Sequence, residues 1–387
     1  MKRALAVLQR IRPSLLPASY RRNRVVLFPD GRQFFRALFA SIRTAEYFIL
    51  LEYYIIRDDR TGRALAEELG AARQRGVRVL LIYDYIGCLD TPSSYFRQLA
   101  QLGVDLVAFN VPSIRRGVLR FDRRDHRKMT IVDGALAFLG GCNIADEYAG
   151  LKAHPNSFRD MGFSVAGSAV QELIHIFAEV WQMERGAPPQ LPLVPDDRRM
   201  TRYRGQARVI IVSGGPHHRS SYISNAFRLS IVSASEEILI ATPYFVPGPR
   251  IIRSLLRAVR RGVRVSLLLP ARSDVPLVRL LGRSFYGTLL KNGVAIYELE
   301  REILHAKVML IDGERTVLGS ANLDQRSFHR NFEINGIIDS RGFGGQIRRM
   351  LQENFRDARR IRLADHERRG MLARLLEKII NLFSWFL

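Results

Sequence analysis

Apolar residues along the chain follow two patterns, one with helical spacing and one in short continuous runs. Helical spacing covers residues 62–75 and 250–261. Each of these stretches leads into the sequence Arg-Gly-Val-Arg-Val and then into an apolar run of strand length. The glycine is therefore expected to end the helix and the valines to begin a buried strand. This alternation of helices and strands predicts an α/β fold in which helices cover a largely buried sheet.

The same patterns occur twice in the same order. Arg-Gly-Val-Arg-Val occupies positions 75–79 and again positions 261–265. A His-x-Lys sequence begins at position 126 and again at position 305, so its two copies are separated by a similar interval. An internal repeat of this kind predicts two similar α/β/α halves that pack about a pseudo-twofold axis.

The stretch between the two copies has the composition of a linker, since residues 185–208 include four prolines and several charges. The expected organisation has five segments. They are a basic amphipathic N-terminal segment (1–24), a first domain (25–184), the linker (185–208), a second domain (209–365) and an amphipathic C-terminal tail (366–387).

The charge balance narrows the class of partner. The chain has 60 Lys and Arg against 37 Asp and Glu, a net charge of +23 in 387 residues. Such a charge favours polyanions, either an anionic lipid surface or nucleic acid. Aromatic residues that could stack on bases are sparse among the basic clusters, which argues against nucleic acid as the partner.

Cysteine content and hydropathy bear on where the protein works. Cys88 and Cys142 are too few for a disulfide framework, so they indicate a reducing compartment. No uncharged apolar run approaches the roughly 18 residues of a bilayer-spanning helix. We therefore expect peripheral attachment on the cytoplasmic side of the cell membrane.

The repeat contains one chemical motif in each half. Residues 126–133 and 305–312 both fit His-x-Lys-x-x-x-x-Asp. Residues two apart on a strand share a face, so His126 should lie beside Lys128, and His305 beside the lysine two residues later. A single copy would most often be an exposed polar pair, but two complete copies at equivalent places predict an active site.

This duplicated motif resembles the phospholipase D superfamily and, within it, the bacterial cardiolipin synthases that lack N-terminal transmembrane helices. The resemblance covers nearly the whole chain. It is carried by Arg-Arg-Asp-His-Arg-Lys at 123–128, Asp-Val-Pro at 274–276 with Tyr286 following, Gly-Ser-Ala-Asn-Leu-Asp at 319–324 and Asn-Phe-Glu at 331–333. It implies two phospholipase D-like halves and phosphatidyl transfer through a phosphohistidine.

Phosphodiester exchange needs a nucleophile, stabilisation of the phosphoryl oxygens and a proton donor for the leaving alkoxide. The resemblance implies His126 as nucleophile and His305 as general acid and later base. The groups expected to grip the phosphoryl oxygens are Lys128, Lys307, Asn143 and Asn322. Because these groups supply the positive charge, no cofactor and no metal ion is required.

Four carboxylates accompany the motifs. Each histidine needs an acceptor for its second nitrogen, and the candidates are Asp160, which follows His126 along the chain, and Glu333, which follows His305. Asp133 and Asp312 belong to the catalytic motif as the family writes it. Each follows an apolar strand and precedes a glycine, so we expect them to stabilise turns.

Two further surfaces are expected to meet lipid. An arginine cluster before and within the first motif should attract an anionic headgroup; its members are Arg115, Arg116, Arg120, Arg123, Arg124 and Arg127. Apolar residues are expected to line a lipid-access route in front of His305, unless they are core; they are Tyr244, Phe245, Leu280, Phe285 and Tyr286. Both chain ends are amphipathic and could lie on a membrane or pack on the protein.

The expected function is cardiolipin synthesis from two phosphatidylglycerols, or from phosphatidylglycerol and another phospholipid, with release of glycerol. The partners are anionic phospholipid and a membrane surface. Hydrolytic phospholipase D, with water as acceptor, is the alternative, and a nuclease of the same superfamily is less favoured. The motifs identify the first half-reaction better than the second, so the sequence leaves the acceptor open.

Overall fold

The computed structural model describes residues 16–112, 122–150, 157–195, 205–216 and 221–368. Most of the N-terminal segment, the C-terminal tail after residue 368 and part of the linker lie outside the described residues. So do three arginines of the basic cluster, Arg115, Arg116 and Arg120.

Strands and helices alternate through the first half. Its elements are β1 (Tyr20–Phe28), α1 (Gly31–Arg43), β2 (Phe48–Tyr53), α2 (Arg60–Gln74), β3 (Arg78–Asp84), α3 (Ser93–Gln101), β4 (Asp105–Phe109), β5 (Lys128–Val132), β6 (Leu136–Gly140), a 3₁₀ turn (Asp146–Tyr148), β7 (Phe158–Arg159), β8 (Gly162–Ala166) and α4 (Ala169–Arg185). Helix α2 is the helix that the apolar spacing predicts at 62–75, and it is followed directly by the predicted buried strand β3.

The second half repeats this plan. Its elements are β9 (Ala207–Gly214), α5 (Tyr222–Ser233), β10 (Glu237–Ala241), β11 (Phe245–Val246), α6 (Gly248–Arg260), β12 (Arg264–Pro270), α7 (Pro276–Arg283), α8 (Tyr286–Lys291), β13 (Ala295–Leu299), β14 (Ile303–Leu304), β15 (Val308–Ile311), β16 (Arg315–Gly319), β17 (Leu323–Asp324), α9 (Gln325–His329), β18 (Glu333–Asp339), α10 (Arg341–Arg356), β19 (Ala358–Ile361) and α11 (Leu363–Glu367). The prediction of two similar α/β halves is confirmed.

The strand order has the expected twofold symmetry. The main sheet runs β19-β13-β12-β10-β15-β16-β18-β9-β1-β8-β6-β5-β2-β3-β4. Read outward from the β9–β1 junction, each half has four antiparallel strands and then three parallel ones. Only β19, at the outer edge of the second half, has no counterpart within the described residues.

The core has three parts, because the portion of the main sheet in each half is buried on both faces. One cluster lies under the helices of the first half, and another lies under those of the second. A third cluster is shared by both halves, with Leu50 and Met129 from one and Leu239 and Leu310 from the other. This shared core holds the two halves together and sets the distance between their histidine strands.

Asp133 and Asp312 close the hairpin turns at the far ends of the histidine strands. Both residues have a left-handed backbone, with φ near 50°. Asp133 accepts hydrogen bonds from the backbone N–H groups of residues 46–48, at 2.7–3.0 Å. Asp312 accepts from those of residues 235–237, each at 2.9 Å. The two carboxylates therefore tie each hairpin to the start of a neighbouring strand, at the end of the strand opposite the histidine.

In the part of the chain that the structure describes, no helix is both long enough and apolar enough to cross a bilayer.

Candidate active site

Each histidine lies where the backbone of one half pairs with the backbone of the other. In one crossing, β14 pairs with β7, and the His305 N–H donates to the carbonyl of Arg159 at 3.0 Å. In the other, the His126 N–H donates to the carbonyl of Phe332 at 2.9 Å. Since Arg159 precedes Asp160 and Phe332 precedes Glu333, each histidine is placed beside the carboxylate of the opposite half.

Glu333 holds the ring of His126. Its two carboxylate oxygens lie 3.0 and 3.1 Å from His126 Nδ1. The Ser320 hydroxyl donates to Glu333 at 2.5 Å and the Asn331 amide at 3.3 Å. An ionised carboxylate only accepts, so Nδ1 carries the proton and Nε2 has its lone pair available.

Asp160 holds His305 in the same way. The Asp160 carboxylate lies 2.6 Å from His305 Nδ1 and also accepts the Met161 N–H at 2.7 Å. Lys307 Nζ lies 4.0 Å from the same carboxylate. The order along the chain had associated each carboxylate with the histidine of its own half, and that association is wrong. Backbone pairing across the halves reverses it.

The two lysines are buried against their own histidine strands. Lys128 Nζ donates to the His126 carbonyl at 2.7 Å and lies 5.1 Å from the centre of the Tyr54 ring. Lys307 Nζ donates to the His305 carbonyl at 2.5 Å and lies 2.8 Å from His305 Nδ1. Burial lowers the pKa of both lysines, that of Lys128 to about 7. The positive charge of Lys128 is therefore easily lost near pH 7, and an anion bound beside it would favour the charged form.

The histidines are neutral near pH 7. Burial lowers the pKa of His126 to about 4, and burial also lowers the pKa of His305. For Glu333, burial acts to raise the pKa, but His126 and Lys128 outweigh it and the net pKa is lowered. For Asp160, burial likewise acts to raise the pKa, and Lys307 and His305 outweigh it. The site thus combines unprotonated imidazoles with ionised carboxylates, which suits nucleophilic attack by nitrogen.

The two asparagines follow the hairpins and are buried beside the histidine strands. Asn143 Oδ1 accepts the Ile55 N–H at 3.1 Å. Asn322 Oδ1 accepts no hydrogen bond from the part of the chain that the structure describes, so this buried acceptor is available to a donor on a ligand. Aromatic rings enclose the histidines as well, with Tyr54 centred 5.0 Å from His126 and Phe158 4.9 Å from His305.

The residues expected on a lipid-access route separate into two groups. Phe245 and Tyr286 are buried in the core of the second half, so their assignment to an access route is wrong. The Tyr286 hydroxyl donates to buried Glu298 at 3.1 Å, which explains why a tyrosine fits there. Leu280 and Phe285 are half-buried, and the Tyr244 hydroxyl donates to Asp274 at 2.6 Å.

Sequence reasoning missed a buried ion pair beside His126. Arg127, expected in the exposed basic cluster, is only 1% exposed, and its Nη1 lies 3.1 Å from Glu52 Oε1. Its Nε donates to the carbonyl of Glu333 at 3.4 Å, so the guanidinium also links the two halves. Burial and nearby Glu52 raise the pKa of Asp125 well above its usual range. The strand alternation contained a signal, since Arg127 must face away from His126 and Lys128.

Within the described ranges, no three His, Cys, Asp or Glu side chains come together as a metal site would require.

Two His-x-Lys strands that meet across a pseudo-twofold axis, with a carboxylate behind each histidine, define a site of the phospholipase D superfamily. The family model described as "Cardiolipin synthase, PLD-like domain" matches residues 38–181 and 228–357. The chain belongs to this family.

Curated relatives extend the match over most of the chain. A cardiolipin synthase of Geobacillus kaustophilus is 35% identical over 94% of this chain and 72% of the relative. Cardiolipin synthase A of Pseudomonas putida is 36% identical over 94% of this chain and 74% of the relative. Among solved structures, the phosphatidylserine synthase of Haemophilus influenzae is similar with a TM-score of 0.72 at 13% identity, covering 100% of this chain and 97% of that one. That likeness concerns the fold.

Breaking the buried ion pair should be costly, whereas replacing both partners should not. We expect Glu52→Leu to lower the free energy of unfolding by about 3–5 kcal/mol, because it leaves a buried guanidinium without a counter-charge. Glu52→Leu combined with Arg127→Met should recover most of this loss. Urea titration measures both. The matched control is Arg63→Met, which removes an exposed pair with Asp58 and should cost less than about 1 kcal/mol. A double variant as unstable as the single one would contradict the expectation.

Lys128 should lower the free energy of unfolding, because burial in the site disfavours its charged form. Above pH 10.5 the Lys128 amine is unprotonated in both the folded and the unfolded chain. Between pH 10.5 and about 7 the unfolded chain takes up a proton on this amine that the folded chain does not. We therefore expect Lys128→Met to melt at a higher temperature than the wild type, with a gain that grows as the pH falls from 9.5 to 7. Lys291→Met, at an exposed lysine paired with Glu367, is the control and should show no such gain. A difference independent of pH in this window would refute the argument.

Proposed function

We propose that this enzyme is a phosphatidyltransferase that makes cardiolipin from two molecules of phosphatidylglycerol. The observation that carries the proposal is the crossed pair of contacts, Glu333 to His126 and Asp160 to His305. It gives one site with two oriented imidazoles, as a double displacement at phosphorus requires. Relatives named cardiolipin synthase, aligned over 94% of the chain, support the choice of lipid.

In the first step, His126 Nε2 attacks the phosphorus of phosphatidylglycerol and the bond from phosphorus to the glycerol oxygen breaks. His305 donates a proton to that oxygen, and free glycerol leaves. Lys128 and Lys307, with the two asparagine amides, hold the nonbridging oxygens. The charge of the bound phosphodiester raises the pKa of both lysines and of His305, so these groups become protonated when substrate is present.

In the second step, a hydroxyl of the glycerol headgroup of another phosphatidylglycerol attacks the phosphohistidine. His305 accepts the hydroxyl proton, cardiolipin leaves and both histidines return to their starting state. Water would give phosphatidic acid by the same route, at a concentration of roughly 55 M against which the acceptor competes. The acceptor prevails only if the site excludes water and positions the lipid hydroxyl, where effective molarities reach about 10⁵ M.

The substrates place the reaction at a membrane surface. We propose the cytoplasmic face, since Cys88 and Cys142 are both free thiols buried in the fold. Attachment is expected to be peripheral and to weaken with salt, because part of it comes from basic side chains near anionic lipid.

The two histidines can be distinguished with a soluble phosphodiester whose leaving group is nitrophenolate, which needs no protonation. His305→Ala should then give a burst of one nitrophenolate per site and stop, because the phosphohistidine forms but is not resolved. His126→Ala should give no burst. Mass spectrometry of the quenched protein should find the phosphoryl group on His126. A burst in His126→Ala but not in His305→Ala would reverse the two roles.

The lipid reaction itself is tested with labelled phosphatidylglycerol vesicles. Wild-type protein should release glycerol and cardiolipin in equal amounts, with little phosphatidic acid, and His126→Ala should release neither. Excess chelator should leave the rate unchanged, since the charged groups come from the chain. If phosphatidic acid is the main product and no diphosphatidyl lipid forms, the protein is a hydrolytic phospholipase D.

A further inference from the structure

Seven large apolar side chains are exposed in the described part of the chain. They are Leu89, Val111, Met183, Leu193, Val232, Val275 and Leu277. Lys128 pairs with Tyr53 at the carboxyl end of β2, and Val308 pairs with Ala241 at the carboxyl end of β10. The histidine of each half therefore lies at the edge where the parallel strands end, here called the histidine edge. Four of the exposed residues follow strands that end at this edge.

In the first half, these residues are Leu89 after β3 and Val111 after β4. Leu89 is 60% exposed and Val111 is 39% exposed. The loop that carries Leu89 packs on Tyr54, since the Cys88 thiol lies 3.5 Å from the Tyr54 carbonyl. The Tyr54 ring is in turn 5.0 Å from the ring of His126. Leu89 thus directly follows a residue that contacts Tyr54, whose ring borders His126.

In the second half, Val275 and Leu277 follow β12, and they are 37% and 47% exposed. The residue before them, Asp274, accepts the Tyr244 hydroxyl, and its charge acts on the pKa of His305. Val275 follows Leu89 at the same interval that separates the two Arg-Gly-Val-Arg-Val sequences, since 275 − 89 equals 261 − 75. The two apolar loops are therefore related by the pseudo-twofold and flank the site from both sides.

Charge around these loops indicates what covers them. Residues 271–291 carry Arg272, Arg279, Arg283 and Lys291 against the single carboxylate of Asp274. Arg283 and Lys291 are paired with Glu298 and Glu367, so the excess of positive charge comes from the other two arginines. On the other side, Arg326 and Arg330 share the single carboxylate of Asp122, which leaves an excess of positive charge. Apolar tips among cationic side chains match a lipid surface whose interior is apolar and whose headgroups are anionic. A protein partner would need a flat or grooved face, and these tips stand on separate loops.

We propose that Leu89, Val111, Val275 and Leu277 form a rim that enters the surface of an anionic bilayer and so presents the histidines to the phosphodiester headgroups. The inference rests on the proposed function, because it assumes a lipid substrate. Burial of four apolar side chains and the nearby positive charge act together. Neither alone would give stable attachment.

The test compares the rim with an exposed apolar residue elsewhere. Leu89→Ser combined with Leu277→Ser should bind vesicles containing phosphatidylglycerol at least about tenfold more weakly than wild type in a sedimentation assay. The control is Val232→Ser, because Val232 is 48% exposed but lies at the end of α5. Its carbonyl accepts from Arg261, close to the Asp312 turn at the opposite edge. The control should bind like wild type, and melting temperatures verify that all variants fold.

A second measurement locates the rim within the bilayer. Tryptophan in Leu277→Trp should be quenched by lipids brominated on the acyl chains, whereas tryptophan in Val232→Trp should not be quenched above the wild-type background. Equal binding by the rim variant and wild type would overturn the proposal. So would a wild-type dimer that the rim substitutions turn into a monomer, because the rim would then cover a second copy. If the wild type forms no cardiolipin while the rim variant still loses vesicle binding, the proposed function fails and the rim stands.

Discussion

The hydrogen bond from each histidine to the carboxylate of the other half is the constraint on which the rest of the structure depends. Glu333 and Asp160 lie directly after the residues whose carbonyls accept the His126 and His305 N–H groups. Neither half can therefore orient its own histidine. The shared core and the β9–β1 junction serve this requirement, since a shift of one sheet by one residue would place the wrong side chain behind both imidazoles. A duplicated fold becomes a single active site through these two contacts.

Burial makes the site reactive and also disfavours the charged forms of its lysines. Burial lowers the pKa of both histidines, which keeps them neutral near pH 7, and it also lowers the pKa of both lysines. The same burial strengthens every interaction with a phosphodiester that enters, since charge interactions are stronger where the effective dielectric constant is low. The protonated form of each lysine is thus less stable before substrate binds than afterwards.

The sequence predicted those features that depend on local pattern. Residues 62–75 and the strand after them could be assigned because helix and strand periods differ, and the repeat located both histidines. The crossed carboxylates could not be assigned, because only the pairing of Phe332 and Arg159 with the opposite half decides which acid meets which ring. The burial of Phe245 and Tyr286 was missed for a related reason. An apolar run looks the same whether it covers a core or lines a passage.

The pseudo-twofold symmetry is broken at the two positions that flank the first histidine. Asp125 and Arg127 are buried there and bond to Asp84, Glu52 and the Glu333 carbonyl, whereas Leu304 and Ala306 occupy the equivalent places beside His305. Several hydrogen bonds on both sides thus fix the strand of His126, and apolar packing surrounds that of His305. A nucleophile acts on the same phosphorus atom in both steps, since its bond to phosphorus forms in the first and breaks in the second, and it gains from a fixed position, while an acid that later acts as a base must serve two different oxygens in turn. The buried charges beside His126 therefore agree with its assignment as the nucleophile.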